Sequence, residues 1–137
     1  MPALFQSAAD ATVSGDFVSD GVGVGAPSGT GYAAGPSATT SSVTFEFDVR
    51  ASGNYQIVGT VKSPNGRDDS FWVTLNGAPN EGWLWDTGRR SDYGDATVGH
   101  RGESGPKVVW LDAGPNQVTM SLREDGTYIS AVQLVPA

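Results

Sequence analysis

The sequence predicts an all-β domain, a β-sandwich of the jelly-roll type. Three observations carry this. Several short stretches alternate strictly between apolar and polar residues, the pattern of a strand with one face in a core. Turn signals separate them at regular spacing: Ser52-Gly53-Asn54, Pro64-Asn65-Gly66, Asn76-Gly77, Ala113-Gly114-Pro115-Asn116 and Glu124-Asp125-Gly126. No stretch shows the period of an amphipathic helix, and 19 glycines with 8 prolines suit many turns between short strands.

Taken in order, Leu4-Phe5 opens an edge strand, and Ala11 to Val18 continues it with Val13 and Phe17 as apolar anchors. Gly21-Val22-Gly23-Val24-Gly25-Ala26 has the form of a dinucleotide fingerprint, echoed at Gly29 to Ala34. That motif needs a strand before it and a helix after it to aim amides at a pyrophosphate. Here Pro27 and Pro36 close the segments and no helical period follows, so the region reads as a long glycine-rich loop in which Tyr32 is the one large side chain. Residues 42–49 alternate, with Val43, Phe45, Phe47 and Val49 inward. Tyr55 to Lys62 is the return strand of a hairpin, with Tyr55, Ile57 and Val61 on one face and Val58 on the other. Ser70 to Leu75 follows, with Phe71, Val73 and Leu75 on one face and Trp72 on the other, where it reads as packing. Residues 86–106 show little hydrophobic patterning and are expected to form a long functional loop. Strands at Lys107–Leu111, carrying Trp110, at Gln117–Arg123 and at Tyr128–Val135 close the domain, which spans 1–137.

A chain of 137 residues with 38% hydrophobic content is globular and can bury roughly two-thirds of its unfolded surface. No apolar run approaches the length of a membrane span. The absence of cysteine excludes disulfides and thiolate metal sites. Met1-Pro2 runs straight into the domain, as expected of a module cut from a longer protein. The formal charge of −7 argues against nucleic acid as a partner. Six of the eight basic residues (Lys62, Arg67, Arg89, Arg90, Arg101 and Lys107) lie within 62–107 beside seven acids, so the middle third is near neutral and the remainder strongly acidic.

Three of the four tryptophans, Trp72, Trp83 and Trp85, fall in that middle third, next to a loop carrying Asn65, Arg67, Asp68 and Asp69. Aromatic faces beside polar groups suit a sugar, whose apolar ring face stacks while its hydroxyls are hydrogen-bonded. The competing reading is that the tryptophans only pack the core.

Ala11 to Gly15, the Gly53–Val61 strand, Asp69-Ser70-Phe71-Trp72-Val73, Trp83-Leu84-Trp85-Asp86, Arg101-Gly102 with Pro106, Ala113-Gly114 and Arg123-Glu124-Asp125-Gly126 together resemble the β-sandwich carbohydrate-binding modules of families six, thirty-five and sixteen. Such modules are non-catalytic and are appended to secreted glycoside hydrolases and polysaccharide lyases. The resemblance implies a sugar cleft in the loops at one end of the sandwich, built here from Tyr32, Trp85 (or Trp83) and Tyr128. Arg67, Arg89, Arg90 and Arg101 would supply charge-assisted bonds to a carboxylate or sulfate. That would suit an acidic or sulfated polysaccharide of the marine, algal type. Pairing with Asp68, Asp69, Asp92 or Glu103 is the alternative for these arginines, and Arg123 with the Glu124-Asp125-Gly126 turn reads as structural. The resemblance also implies a structural calcium, but its carboxylate positions correspond to Ser7, Ala9 and Ser130, so no metal or other cofactor is expected there. Asp16 with Asp20, or Asp86 with Asp92 and Asp95, are the remaining acidic clusters.

The resemblance further implies a secreted, bacterial, extracellular module that acts as a monomer tethered to a catalytic domain and has no membrane partner. A small polysaccharide lyase or hydrolase on the same sandwich is the alternative. Tyr93, His100 and Arg89 or Arg90 would be its base and charge neutraliser. A protein-binding adhesion module would instead need an exposed apolar patch.

Overall fold

The computed structural model describes residues 3–65 and 69–137. Among the described residues twelve strands, all antiparallel where they pair, form two sheets packed face to face. The first sheet contains β1 (Leu4–Ser7), β3 (Val18–Ser19), β4 (Val24–Gly25), β6 (Gly53–Ser63), β9 (Arg90–Thr97), β10 (Val108–Leu111) and β12 (Tyr128–Pro136). The second runs in the order β2 (Thr12–Ser14), β5 (Ser42–Val49), β11 (Gly114–Leu122), β7 (Ser70–Leu75) and β8 (Ala78–Asp86). The β-sandwich predicted from alternation is therefore present.

The core lies between the sheets. Val43, Phe45, Phe47 and Val49 from β5 face Tyr55, Ile57 and Val61 from β6, with Phe71, Val73, Val118, Met120, Ile129, Val132 and Leu134 completing it. The hairpin of β7 and β8 turns through Asn76-Gly77, both with positive φ (53° and 80°). That is the geometry for which an Asn-Gly pair is selected, because only such residues enter the left-handed region cheaply. Residues 86–106 are a correction. Arg90–Thr97 is a strand paired with β6 from Val58↔Thr97 to Ser63↔Arg90, so backbone pairing, not an apolar face, builds it.

Trp85 is the bolt of the sandwich. It leaves β8 in the second sheet and its indole Nε1 donates to the Thr97 carbonyl of β9 in the first, at 3.0 Å. Its ring packs 6.2 Å from that of Phe71. At Gly59 of β6 a Cβ would sit 2.5 Å from Trp85 Cη2. The glycine is there because the indole fills the space a side chain would take.

Candidate functional site

Three segments converge on a cleft of about 590 Å³. They are the glycine-rich loop at 31–34, β7 through Trp72, and the turn between β11 and β12 through Arg123, Glu124 and Asp125. The loop is held by the turn. Ala33 N–H donates to the Arg123 carbonyl at 3.1 Å and Asp125 N–H donates to that of Gly31 at 3.2 Å. Asp125 Oδ2 accepts from the amides of Gly29 and Gly31 at 2.9 and 2.7 Å. Both glycines have positive φ (97° and 106°), which turns their amides toward the one carboxylate.

Trp72 follows the outward parity of β7 and its Nε1 donates to the Ala33 carbonyl at 2.9 Å. The Arg123 guanidinium lies 5.9 Å from the Trp72 ring centroid. Arg123 Nη1 also donates to Ser70 Oγ at 2.8 Å and to Glu124 Oε1. Glu124 Oε2 in turn accepts from the Asp69 amide at 2.9 Å. Tyr32 stands clear of this network, 82% exposed. Among the described residues the cleft thus offers one solvent-facing aromatic ring beside a wall of anchored polar groups carrying one guanidinium and two carboxylates.

Of the described residues picked from the sequence as sugar contacts, Tyr32 alone lines the cleft. Trp85 is 1% exposed and belongs to the core, so it has no face to offer a ligand. Trp83 is half-buried against the core with Lys107 Nζ 5.4 Å from its ring centroid. Tyr128 lies on the outer face of the first sheet, its ring 5.6 Å from Lys62 Nζ. Asn65 is exposed two residues beyond β6, and Arg67 falls outside the described residues. Arg89 Nε donates to the Pro64 carbonyl at 3.2 Å and Arg90 Nε to that of Thr87 at 3.3 Å. Arg101 grips both oxygens of Asp86, in a separate recess of about 210 Å³ with His100 and Glu103. Trp72, Arg123, Glu124 and Asp125 were the residues missed. The signal for Trp72 was its outward parity on an otherwise inward-facing apolar strand.

The lyase constellation does not assemble. Tyr93 Oη donates to Asp20 Oδ2 at 2.9 Å, whereas His100 Nδ1 accepts from the Leu84 amide at 2.9 Å and Arg90 is held at Thr87. The positions the resemblance would give to calcium do not fit a hard cation. Ser7 Oγ donates to Asp10 Oδ2 at 3.3 Å, Ser130 Oγ to the Thr60 carbonyl at 3.4 Å, and Ala9 brings no oxygen ligand in its side chain. Among the described residues no group of three or more His, Cys, Asp or Glu could hold a metal ion.

Asp20 is an electrostatic anchor, accepting from Lys62 Nζ at 2.7 Å and Tyr93 Oη at 2.9 Å. Burial pushes its carboxyl up, but the Gly23 amide, Lys62, the Val22 amide and Tyr93 outweigh that and hold it well below the usual carboxylate range. The lowered value means that its contribution is complete above the unfolded pKa, near 4, and is lost as pH falls through the folded one. The melting temperature should therefore drop on acidification below about pH 4, and Asp20→Asn should flatten that part of the curve. An unchanged acid slope in Asp20→Asn would remove Asp20 from the account.

No family model matches the sequence, and no curated protein does. Solved structures do. A family 35 carbohydrate-binding module from Clostridium thermocellum superposes with a TM-score of 0.70 at 15% identity, over 100% of both chains. The fold is the one such modules have. A family 35 module from Paenibacillus barcinonensis gives 0.62 at 17% identity, over 98% of this chain and 99% of that one. The exo-β-1,3-galactanase of Phanerochaete chrysosporium, solved with β-1,3-galactotriose, gives 0.69 at 15% identity, and this chain spans 29% of its length.

Proposed function

We propose that this chain is a non-catalytic carbohydrate-binding module whose sugar site is the cleft of Tyr32, Trp72, Arg123, Glu124 and Asp125. The observation that carries the reading is the exposed Tyr32 ring standing over anchored polar groups, on a fold shared with modules of that kind. A sugar ring stacks its apolar face on Tyr32 while its hydroxyls meet the carboxylates and guanidinium below. The match to part of a galactanase supports a role in tethering a secreted polysaccharide-degrading enzyme to its substrate.

Among the described residues the wall carries one cation and two anions, a balance that favours a neutral sugar. An acidic or sulfated polysaccharide is the second reading, on one observation: among the described residues Arg89 and Arg90 make no ion pair. Affinity electrophoresis over neutral, carboxylated and sulfated polysaccharides at low and high salt separates the two. Neutral ligands held equally at both salts support the first reading. Salt-sensitive binding of anionic ligands, flattened by replacing Arg89 and Arg90, supports the second. Sustained release of reducing ends or unsaturated uronides by the purified protein would overturn both in favour of an enzyme.

The replacements at Ser7, Ala9 and Ser130 lead to an expectation about metal. Thermal melts with and without a strong chelator should coincide, and a large drop on chelation would show an ion bound elsewhere.

A further inference from the structure

The guanidinium in the wall of the cleft is already occupied. Of the four ion pairs among the described residues, Arg123–Glu124 is the one that lines the cleft, and its side chains are 22% and 21% exposed. Arg123 is taken up on two sides. Its Nη1 donates to Glu124 Oε1 and to Oγ of the buried Ser70, and the face of its guanidinium lies 5.9 Å from the Trp72 ring centroid. Glu124 is equally fixed. Its Oε1 holds the arginine and its Oε2 accepts from the Asp69 amide at 2.9 Å, so neither carboxylate oxygen is without a donor. Its backbone is bridged to that of Tyr32, which places the pair directly beside the segment that carries the exposed ring.

Two further observations single out Glu124 from its neighbours. The carboxylate of Asp125 is committed elsewhere, since its Oδ2 accepts from the amides of Gly29 and Gly31. The negative charge of Glu124 is also felt beyond its partner. Burial pushes the Asp69 carboxyl up, and the carboxylates of Glu124 and Asp86 add to that effect. Pairing with Arg123 therefore does not cancel the field that an arriving anion would meet.

Resting on the reading of this cleft as the sugar site, we propose that Glu124 is its specificity-determining residue: a resident counter-ion that occupies the Arg123 guanidinium and so excludes carboxylated sugars in favour of neutral ones. A uronate that reached Arg123 would have to displace Glu124, leaving a partly buried carboxylate without its cation. A hydroxyl displaces nothing and can join the pair at its rim. The selection thus works by a penalty on the wrong ligand as well as by contacts to the right one. Glutamine at this position would keep the shape but remove the charge, and its single acceptor oxygen could serve the Asp69 amide or the arginine, not both. The guanidinium would then be open to a ligand carboxylate, the partner its planar fork suits.

The test uses neutral glucan, mannan and galactan oligosaccharides, each matched with its counterpart oxidised at C6 to the uronate. They are titrated into the unaltered protein, Glu124→Gln, Glu124→Gln/Arg123→Gln and Tyr32→Ala, with circular dichroism melts to check folding and Glu124→Ser as a second way of removing the charge. The unaltered protein should prefer the neutral member of any pair it binds. Glu124→Gln should raise the ratio of uronate to neutral affinity by about 10-fold, the scale of one charge-assisted hydrogen bond. That gain should shrink in high salt and vanish in the double variant. An unchanged ratio in the folded Glu124 variants would overturn the proposal, as would an unaltered protein that already prefers the uronate. A gain that survives the loss of Arg123 would overturn it too, because Glu124 would then repel the ligand without occupying the guanidinium. Tyr32→Ala separates this proposal from the cleft itself. Binding lost in Tyr32→Ala, with the ratio unmoved in Glu124→Gln, rejects the counter-ion and keeps the cleft. Binding unchanged in Tyr32→Ala with the ratio unmoved, or binding of no probe by any of the proteins, rejects both.

Discussion

Trp85→Ala is expected to cost about 3–5 kcal/mol of folding stability, the range for truncating a fully buried large aromatic. The cavity would open between the sheets beside Gly59 and Phe71, where the strand backbones on both sides limit collapse. The Thr97 carbonyl would also lose its indole donor and with it a direct tie between β8 and β9. Trp85→Phe should fall between, at about 1–2 kcal/mol, since it keeps most of the packing but not the N–H. Urea unfolding reads both. Because Trp85 does not line the cleft, Trp85→Phe should keep the sugar affinity of the unaltered protein. A Trp85→Phe variant that is fully stable but has lost binding would place the indole in the ligand site after all. Gly59→Ala probes the same joint from the other side: its Cβ, 2.5 Å from Cη2, should destabilise by about 1–3 kcal/mol through overpacking.

The second large effect is on binding alone. Tyr32→Ala should weaken binding of a short oligosaccharide by about 10- to 100-fold. Stacking removes on the order of 50–100 Å² of apolar area from water, at roughly 25 cal/mol per Å², or about 1–2.5 kcal/mol. At 82% exposure the ring contributes little packing to the fold, so the melting temperature should hardly move. Tyr32→Phe should retain most of the affinity if the ring face is what matters. Isothermal titration of the three proteins decides, and unchanged affinity in a folded Tyr32→Ala would take the sugar site out of this cleft.

The strands were legible where one face is buried and the other wet. The alternation of Val43, Phe45, Phe47 and Val49 with Thr44, Glu46 and Asp48 leaves little choice of register. The segment Trp83-Leu84-Trp85 was not legible in this way, because three consecutive large apolar residues give alternation nothing to sort. Only the opposite sheet, with a glycine at position 59, shows that the Trp85 indole reaches across the core. Strand β9 escaped notice because its stability comes from main-chain pairing to β6, which side-chain pattern does not report. The cleft was half legible. Tyr32 announces itself as the one large side chain in a run of small ones. Its companions are brought together by contacts such as Trp72 to Ala33 and Gly31 to Asp125, across 39 and 94 positions of sequence. No local window contains them.

The way the glycine-rich loop is fastened has an evolutionary consequence. Asp125 holds it by two main-chain amides, Trp72 holds it by a main-chain carbonyl, and the grip comes from the sandwich. The side chains of the loop itself, Tyr32 included, are spare to that attachment. New residues can be tried at the exposed positions 28, 32 and 34 at little risk to folding, so long as the glycines at 29 and 31 keep their turns and the buried Ala33 stays small. Ligand preference in this molecule can drift quickly while the domain that displays it stays the same.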